Sequence, residues 1–249
     1  MLEQGAIGGQ DERAPRYVPG AGYRSTFLRD LASCPELLDH LSGLAGVALA
    51  PHPLPDCQGY VNYAPTDLEK AVDTWHVDSI SYDIVVMVSD PTDLKGGRFE
   101  WFEGTDEEAA DLLGTETRNL HLGGPADLPA DRTGAAEFPA AGWGALQQGT
   151  HVVHRAARLL EPAERTTLVL GFAPVDVSAP DPTNFEYIVT WPHPGIESEV
   201  ARHAARRAAT RLTEFADGLA PDADPQATAA ALRLAAADVE RAASVLERC

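Results

Sequence analysis

The feature that most restricts the fold of this chain is a series of short β-forming runs in its central part. Turn-forming residues separate the runs, which is the pattern of strands joined by hairpins and loops. The runs are Val47–Leu49, Tyr60–Tyr63, Thr74–Asp78, Tyr82–Ser89, Arg98–Phe102, Ala145–Gln148, His151–Ala156 and Thr166–Phe172. Many short strands with this spacing indicate a β-sandwich or a barrel.

Helical patterns stand on both sides of the strand-rich part. Apolar residues recur at helical spacing over residues 25–45, and alanine dominates residues 200–217 and 226–247. Between the strands, residues 105–114 predict one short helix with a threonine N-cap and a glycine at its end. The sequence therefore predicts a mainly β core with flanking helices.

The composition limits the classes of function. The formal net charge is −19, which would repel nucleic acid. No apolar run approaches the roughly 20 residues that span a bilayer, and residues 1–17 lack the apolar segment of a signal peptide. The three cysteines are scattered without metal-ligand spacing, which favours a reducing compartment. We therefore expect a cytoplasmic protein that binds neither nucleic acid nor a membrane.

The tetrapeptide Trp75-His76-Val77-Asp78 is the first candidate for chemistry. Because side chains two apart in a strand share a face, His76 and Asp78 project together. An imidazole nitrogen and a carboxylate oxygen side by side can occupy two adjacent positions on one metal ion. Taken alone, however, the pair is better explained as a strand end with two polar residues in solvent.

His154, in a later strand-like run, can complete a site of two histidines and one carboxylate. Such a triad leaves three positions on iron(II) open, two for a 2-oxo acid and one for dioxygen, whereas a structural zinc site is closed by four ligands. His151 competes for the same role, but it faces the other side of a strand. Three other histidines, His121, His193 and His203, lack a partner pattern and are expected on the surface or in loops.

Arg165 stands directly before the apolar run 166–172. A buried arginine needs an anionic partner. Arg165 and Thr167 share a face of the strand, so a guanidinium group and a hydroxyl group could hold one carboxylate together. The alternative is an arginine in a surface ion pair at the edge of the sheet.

Three segments in this order, WHVD, GGRFEWF and HRAARLLEPAERTTLVLGF, resemble the 2-oxoglutarate/Fe(II)-dependent dioxygenase superfamily, in its prolyl-hydroxylase-like branch. The resemblance implies a double-stranded β-helix, or jelly-roll, core. The implied metal ligands are His76, Asp78 and His154, and the implied 2-oxoglutarate contacts are Arg165, Thr167, Asn62 and Tyr63. Arg165 follows His154 by eleven positions, and the family pattern has an arginine about ten residues after the distal histidine.

The resemblance also implies an oxidoreductase that uses Fe(II), 2-oxoglutarate and O2, with ascorbate as an optional reductant. A carboxylate ligand at Asp78 favours hydroxylation, or a related desaturation or ring closure, over halogenation. The expected substrate is a small metabolite, such as an amino acid or a natural-product intermediate. The alternatives are a prolyl-type hydroxylase of peptides or proteins, a jelly-roll binding module without catalysis, and a zinc hydrolase on a similar barrel.

Trp101 and Ser79 are the candidates for contact with the substrate. Strand alternation places Phe99 and Trp101 on one face and Glu100 and Phe102 on the other, but it leaves open which pair faces the cavity.

These inferences combine in a single domain over residues 1–249. Its parts are an irregular arm over 1–22, N-terminal helices and the first strand over 23–57, the jelly-roll catalytic core over 58–174, and a mostly helical segment over 175–249. Residues 115–142 predict a long loop with one strand near 136–139, and this loop and the arm are candidates for a lid. The C-terminal helices could form a homodimer interface, although packing on the outside of the barrel explains them better.

Overall fold

The computed structural model describes residues 8–10, 13–191 and 193–249. The chain divides into two compact units, residues 1–173 and 174–249. The sequence analysis expected one domain with a helical end. The single domain stays a prediction, and the helical end corresponds to the second compact unit.

The first unit consists of strands and short helices. Its strands are β1 (Gly8–Gln10), β2 (Ala14–Val18), β3 (Leu49–Pro51), β4 (Tyr60–Tyr63), β5 (Asp73–His76), β6 (Tyr82–Met87), β7 (Phe99–Phe102), β8 (Thr133–Ala136), β9 (Gly144–Gln147), β10 (His154–Ala156) and β11 (Thr166–Pro174). Its α-helices are α1 (Ala21–Arg24), α2 (Thr26–Ala32), α3 (Pro35–Ala45) and α4 (Asp106–Leu113). Short 3-10 helices cover Pro55–Cys57, Thr117–Leu122 and Ala130–Arg132.

The strands form two sheets. The larger sheet has the order β1-β2-β4-β11-β6-β9, with β3 also paired to β11, and the smaller sheet has the order β5-β10-β7-β8. The pairings along both orders are antiparallel. From β4 to β11 the chain alternates between the two sheets, except at the β7–β8 pair. Val85 and Val169 of the larger sheet meet Phe99 of the smaller sheet in a shared core. This arrangement is a jelly-roll core with flanking helices, and the predicted fold class is confirmed.

The outer face of the larger sheet is covered by α2 and α3. Side chains of alternate strand residues, such as Val61, Leu168 and Leu170, pack there in one core cluster with Leu41 of α3. Helix α3 ends at Gly46, whose φ of 69° is the left-handed conformation that glycine adopts at a helix C-terminus. The face opposite to this cluster is the interior of the jelly roll.

The prediction of an irregular arm over residues 1–22 is wrong for the part of it that the structure describes. Residues 14–18 form β2, which pairs with β4 so that Tyr17 lies opposite Asn62 and Val18 opposite Val61. Val18 is fully buried in the outer cluster, while the Tyr17 ring meets the Tyr60 ring edge-on. A strand this short is stabilised mainly by its partner strand, so its own composition gives little signal.

The outer face of the smaller sheet carries a second cluster around Trp75 and Phe102, covered by α4 and Leu120. The predicted helix over 105–114 is confirmed, with a Thr105–Glu108 capping box and Gly114 in the left-handed conformation. In the predicted loop 115–142, the strand expected near 136–139 is found at 133–136. A Cβ atom at Gly134 would lie 2.2 Å from the Trp101 ring, so this strand approaches β7 closely through a glycine.

The second unit contains α5 (Phe185–Ile188), α6 (Ile196–Gly218) and α7 (Pro225–Leu246). His203 of α6 was expected at the surface, but it is buried and its Nε2 atom lies 2.5 Å from Asp181 Oδ2. Arg211 of α6 is also buried and donates to Asp238 of α7. Polar pairs thus fill part of the core of this unit, which apolar periodicity could not indicate. Among the described residues, none of the helices combines the length and apolarity needed to cross a membrane.

Candidate metal centre

The histidines His76 and His154 are brought together by strand pairing. Strands β5 and β10 are antiparallel neighbours in the smaller sheet, and His154 lies directly opposite His76. Their ring centroids are 4.2 Å apart. Asp78 follows β5 by two residues, and one ligand atom from each of the three side chains lies within 4.8 Å of the others. All three side chains are buried, so the cluster is shielded from bulk water.

Backbone carbonyl groups fix the tautomers of both histidines. The Nδ1 atom of His76 lies 2.6 Å from the carbonyl oxygen of Thr74, and the Nδ1 atom of His154 lies 2.8 Å from that of Val152. Because a carbonyl oxygen can only accept, each Nδ1 atom donates its hydrogen, which leaves a lone pair on each Nε2 atom. These Nε2 atoms lie 3.4 and 3.3 Å from the two oxygens of Asp78.

The three side chains therefore fit a metal ion. The Nε2 atom of His76 is buried and accepts no hydrogen bond from the described residues. Two imidazole lone pairs and a carboxylate that converge in a buried space form a donor set for a divalent transition metal. The Nδ1 bonds to carbonyl groups are the outer contacts that orient histidine ligands in metal sites.

The protonation states favour the same interpretation. Burial, followed by the positive charge of Arg13, lowers the pKa of His76, so its ring is neutral at neutral pH. Burial alone would raise the pKa of Asp78, but the neighbouring side chains of His154 and His76 hold it well below its ordinary value. A neutral imidazole and an ionised carboxylate are the forms that bind a metal.

Arg13 is a buried neighbour of the cluster that the sequence analysis did not predict. Its guanidinium group donates to Asp73 Oδ1 at 3.1 Å, to Asp78 Oδ1 at 3.2 Å and to the carbonyl oxygen of His121 at 2.9 Å. It therefore neutralises one of the two acids beside the histidines. No local motif marks it, because it reaches the site from a segment far away in sequence.

His151, the competitor for the second histidine position, lies outside the cluster. Its side chain is exposed, and its Nδ1 atom lies 2.9 Å from the hydroxyl oxygen of Thr150. Of the two histidines, the structure places only His154 beside His76 and Asp78.

Arg165 is buried, with 1% of its surface exposed. Its Nε atom donates to the carbonyl oxygen of Gly97 at 2.9 Å, and its Nη1 atom donates to the Thr167 hydroxyl at 3.4 Å. Its Nη2 atom is buried and has no hydrogen-bond partner among the described residues. Burial lowers the pKa of Arg165 to about 10, against the opposing charge of Asp73, so the group stays cationic. Such a cation fits a carboxylate ligand.

The two residues of β4 that were predicted to contact 2-oxoglutarate, Asn62 and Tyr63, lie on opposite faces of the strand. Asn62 lies opposite Thr167 in the pairing of β4 with β11 and is buried, and within the described part of the chain its Oδ1 atom has no hydrogen-bond partner. Tyr63 packs against the outer cluster with α2 and α3. Contact of both residues with the same ligand stays a prediction, and adjacent residues of a strand point to opposite faces.

The alternation in β7 is also resolved. Phe99 and Trp101 face the interior, where the Phe99 ring stacks on the His154 ring with centroids 5.6 Å apart. Glu100 instead accepts a hydrogen bond from Arg155, and Phe102 packs in the outer cluster around Trp75. Trp101 therefore shares the face of the candidate ligands. Ser79, directly after Asp78, is buried as well.

Three further residues close to the site escaped the sequence analysis: Tyr60, Asp83 and Gln147. Burial and the charge of Asp78 raise the pKa values of Tyr60 and of Asp83 well above their ordinary values. Gln147 contacts Asp78, Asp83 and His154. A charged residue inside the apolar run YDIVVMV was the one available signal, because a buried carboxyl group usually has a special role.

Comparisons with known proteins give only distant matches. No protein-family model matches the sequence, and no curated protein matches it. Among solved structures, the chain is similar to the non-heme alpha ketoglutarate dependent epimerase SnoN from nogalamycin biosynthesis, with 16% identity and a TM-score of 0.43, over 64% of this chain and 62% of that one. A bsmA homologue from Methylobium petroleophilum PM1 matches with 18% identity and a TM-score of 0.27, over 47% of this chain and 40% of that one.

The chain thus spans less than two thirds of the length of either structure. Because both TM-scores are low, the fold assignment rests on the strand order itself.

Proposed function

We propose that this chain is an Fe(II)- and 2-oxoglutarate-dependent oxygenase whose metal is held by His76, Asp78 and His154. The observation that carries the proposal is the buried Arg165, whose Nη2 atom lacks a partner among the described residues. A metal site alone has no use for such a cation. A dicarboxylate with one end on the metal supplies the missing anion, and 2-oxoglutarate is such a molecule.

Each residue has a defined task in this proposal. The metal ion, when bound, supplies the activation of dioxygen, coupled to conversion of 2-oxoglutarate to succinate and carbon dioxide. Arg165 and Thr167 hold the distal carboxylate of 2-oxoglutarate. Asn62, on the neighbouring strand β4, contributes a side-chain hydrogen bond beside them. Phe99 packs on His154 and keeps water from that side of the ring.

The reaction and the substrate extend the proposal. The intact carboxylate ligand supports hydroxylation, desaturation or ring closure of a small metabolite, such as an amino acid or a natural-product intermediate. Interior aromatic side chains, among them Trp101, would border that substrate. Action in the cytoplasm, an auxiliary role of ascorbate and the prolyl-hydroxylase-like branch remain predictions of the sequence.

Thermal unfolding with Mn(II) and 2-oxoglutarate tests the proposal without a known substrate. A ligand at 100 times its Kd adds about 2.7 kcal/mol of stability, which corresponds to a rise in Tm of roughly 5–10 °C for a chain of this size. We expect Mn(II) to stabilise the protein and 2-oxoglutarate to add stability only when the metal is present. No stabilisation by the combination would overturn the proposal.

Two variants separate the metal from the co-substrate. His76→Ala should remove both responses, whereas Arg165→Met should retain the response to Mn(II) and lose that to 2-oxoglutarate. Arg158→Met is the matched control, since its side chain is about half exposed. With Fe(II), 2-oxoglutarate and O2, the wild type should form succinate slowly even without the prime substrate, and succinate formation that survives His76→Ala would contradict the assignment.

A further inference from the structure

The side-chain amide of Gln147 lies between two carboxyl groups and one of the candidate metal ligands. Its Nε2 atom is 3.1 Å from Asp78 Oδ2, 2.8 Å from Asp83 Oδ1 and 2.9 Å from His154 Nε2. The side chain is buried, as is that of Asp83. The amide thus joins the carboxylate of the metal site to a second acid for which the proposed function has no task.

The Gln147 amide has fewer hydrogens to donate than there are acceptor atoms around it. An amide NH2 group has two hydrogens, but three acceptors surround it, since His154 donates from Nδ1 and leaves a lone pair on Nε2. A metal ion that takes the Nε2 lone pair removes one acceptor. The two hydrogens then match Asp78 and Asp83. The opposite orientation of the amide would place its carbonyl oxygen against the carboxylate of Asp78.

We propose that Gln147 is a positioning residue of the metal centre, which fixes the carboxylate of Asp78 through Oδ2 and is itself held in place by Asp83. The inference rests on the proposed function for the presence of the metal. Asp78 is then held at both oxygens, because Arg13 donates to Oδ1. A carboxylate restrained in this way presents its lone pairs to the metal in one orientation.

The strand register builds the arrangement. Gln147 of β9 lies directly opposite Asp83 of β6 in the larger sheet, so the backbone brings the two side chains together. Gly149, two residues after Gln147, leaves room for the side chains of Asp78 and Asp83 because it has no side chain of its own. A Cβ atom there would lie 2.6 Å from Asp83 Oδ2 and 2.9 Å from the Cβ atom of Asp78. Gln147 and Asp83 of the larger sheet thus orient Asp78, the metal ligand that follows β5 of the smaller sheet.

The first test measures metal affinity rather than turnover. We expect Gln147→Leu, which keeps the size and removes the donors, to weaken Mn(II) binding about 10- to 100-fold in calorimetric titration, as outer contacts of metal ligands usually do. The Co(II)-loaded variant should also show an altered ligand-field absorption spectrum. Gln148→Leu is the matched control, because Gln148 is exposed and reaches only the Tyr82 hydroxyl, at 3.4 Å. It should bind Mn(II) like the wild type.

A second test asks whether Asp83 acts through Gln147. Asp83→Asn keeps an oxygen that accepts from the amide, so its Mn(II) affinity should stay within about twofold of the wild type. Asp83→Ala should lose part of the affinity. In the double variant Gln147→Leu/Asp83→Ala the loss should equal that of Gln147→Leu alone. If the losses of Mn(II) binding free energy in the two single variants added in full in the double variant, Asp83 would act independently of Gln147. That result would overturn the role of Asp83 in holding Gln147.

The outcomes separate this inference from the proposed function. If the wild type binds neither Mn(II) nor Co(II), the metal centre itself is refuted. If the wild type binds Mn(II) and Gln147→Leu binds it equally well, only the positioning role is refuted, and a lowered Tm of the metal-free variant would then report packing alone. Gln147→Met, which fills the same space with a more flexible chain, provides the measurement if the leucine variant does not fold.

Discussion

Gly97 offers the sharpest test of the Arg165 assignment, because it is the point where the backbone meets that side chain. Its φ is 67°, and a Cβ atom there would lie 2.9 Å from Arg165 Cδ, 3.0 Å from Arg165 Nε and 2.8 Å from Leu159 Cδ2. The carbonyl oxygen of Gly97 also accepts the hydrogen bond from Arg165 Nε. Gly97→Ala must therefore move the guanidinium group, although it changes no charge.

Two effects of this substitution can be separated by size. An alanine in the left-handed conformation costs roughly 1–2 kcal/mol, which lowers Tm by a few degrees in a chain of this length. A carboxylate that loses its fitted charged hydrogen bonds loses about 1.5–3 kcal/mol, and each 1.4 kcal/mol is a factor of ten in affinity. We expect the Kd for 2-oxoglutarate of the Mn(II)-loaded protein to rise about 10- to 100-fold.

Gly114→Ala is the matched control for the backbone effect. Gly114 has a φ of 68°, and apart from its chain neighbours no atom of the described residues lies within 4 Å of the position that a Cβ atom would take. Calorimetric titration with 2-oxoglutarate and thermal unfolding should show a similar loss of Tm in both variants and a loss of 2-oxoglutarate affinity in Gly97→Ala alone. Equal 2-oxoglutarate affinity in the two variants would refute the role of Arg165 as the receptor for the carboxylate.

Two further predictions concern stability. Burial alone would raise the pKa of Asp181, but hydrogen bonds from His203 and Thr183 and the charge of His203 lower it below its ordinary value. Because the folded pKa is depressed, this stabilisation is complete above about pH 4 and is lost as the pH falls further. In Asp181→Asn, the free energy of unfolding should therefore fall less steeply below about pH 4 than in the wild type. An equally steep fall in both proteins would contradict the pairing. Thr105→Ala removes the capping box of α4 and should cost about 1 kcal/mol in denaturant unfolding; a loss near zero would show that the cap contributes nothing.

The parts of the fold that the sequence predicted are those determined by neighbours along the chain. Helix α4 is defined by its cap, its amphipathic run and its terminal glycine, and all three are local signals. The strand-rich core follows from short β-forming runs between turns. In contrast, β2 is short, and its assignment depends on its pairing with β1 and β4, which no local pattern contains.

The same distinction divides the residues of the site. His76 and Asp78 are marked by a spacing of two at the end of β5, and Arg165 and Thr167 by the same spacing at the start of β11. The loose tripeptide match that points to Tyr63 does not say which face its side chain takes, whereas the pairing of β4 with β11 does.

Arg13 and Gln147 belong to a third class, since their importance arises only after folding. Arg13 reaches Asp78 from 65 positions away, and Gln147 reaches it from 69 positions away. Nothing in the sequence around either residue differs from an ordinary surface or core position. Ligands of a metal can be read from spacing because two of them must share one strand face, but the residues that orient a ligand can approach from any strand. If Gln147→Leu weakens Mn(II) binding, this centre depends on contacts between sheets that spacing cannot reveal.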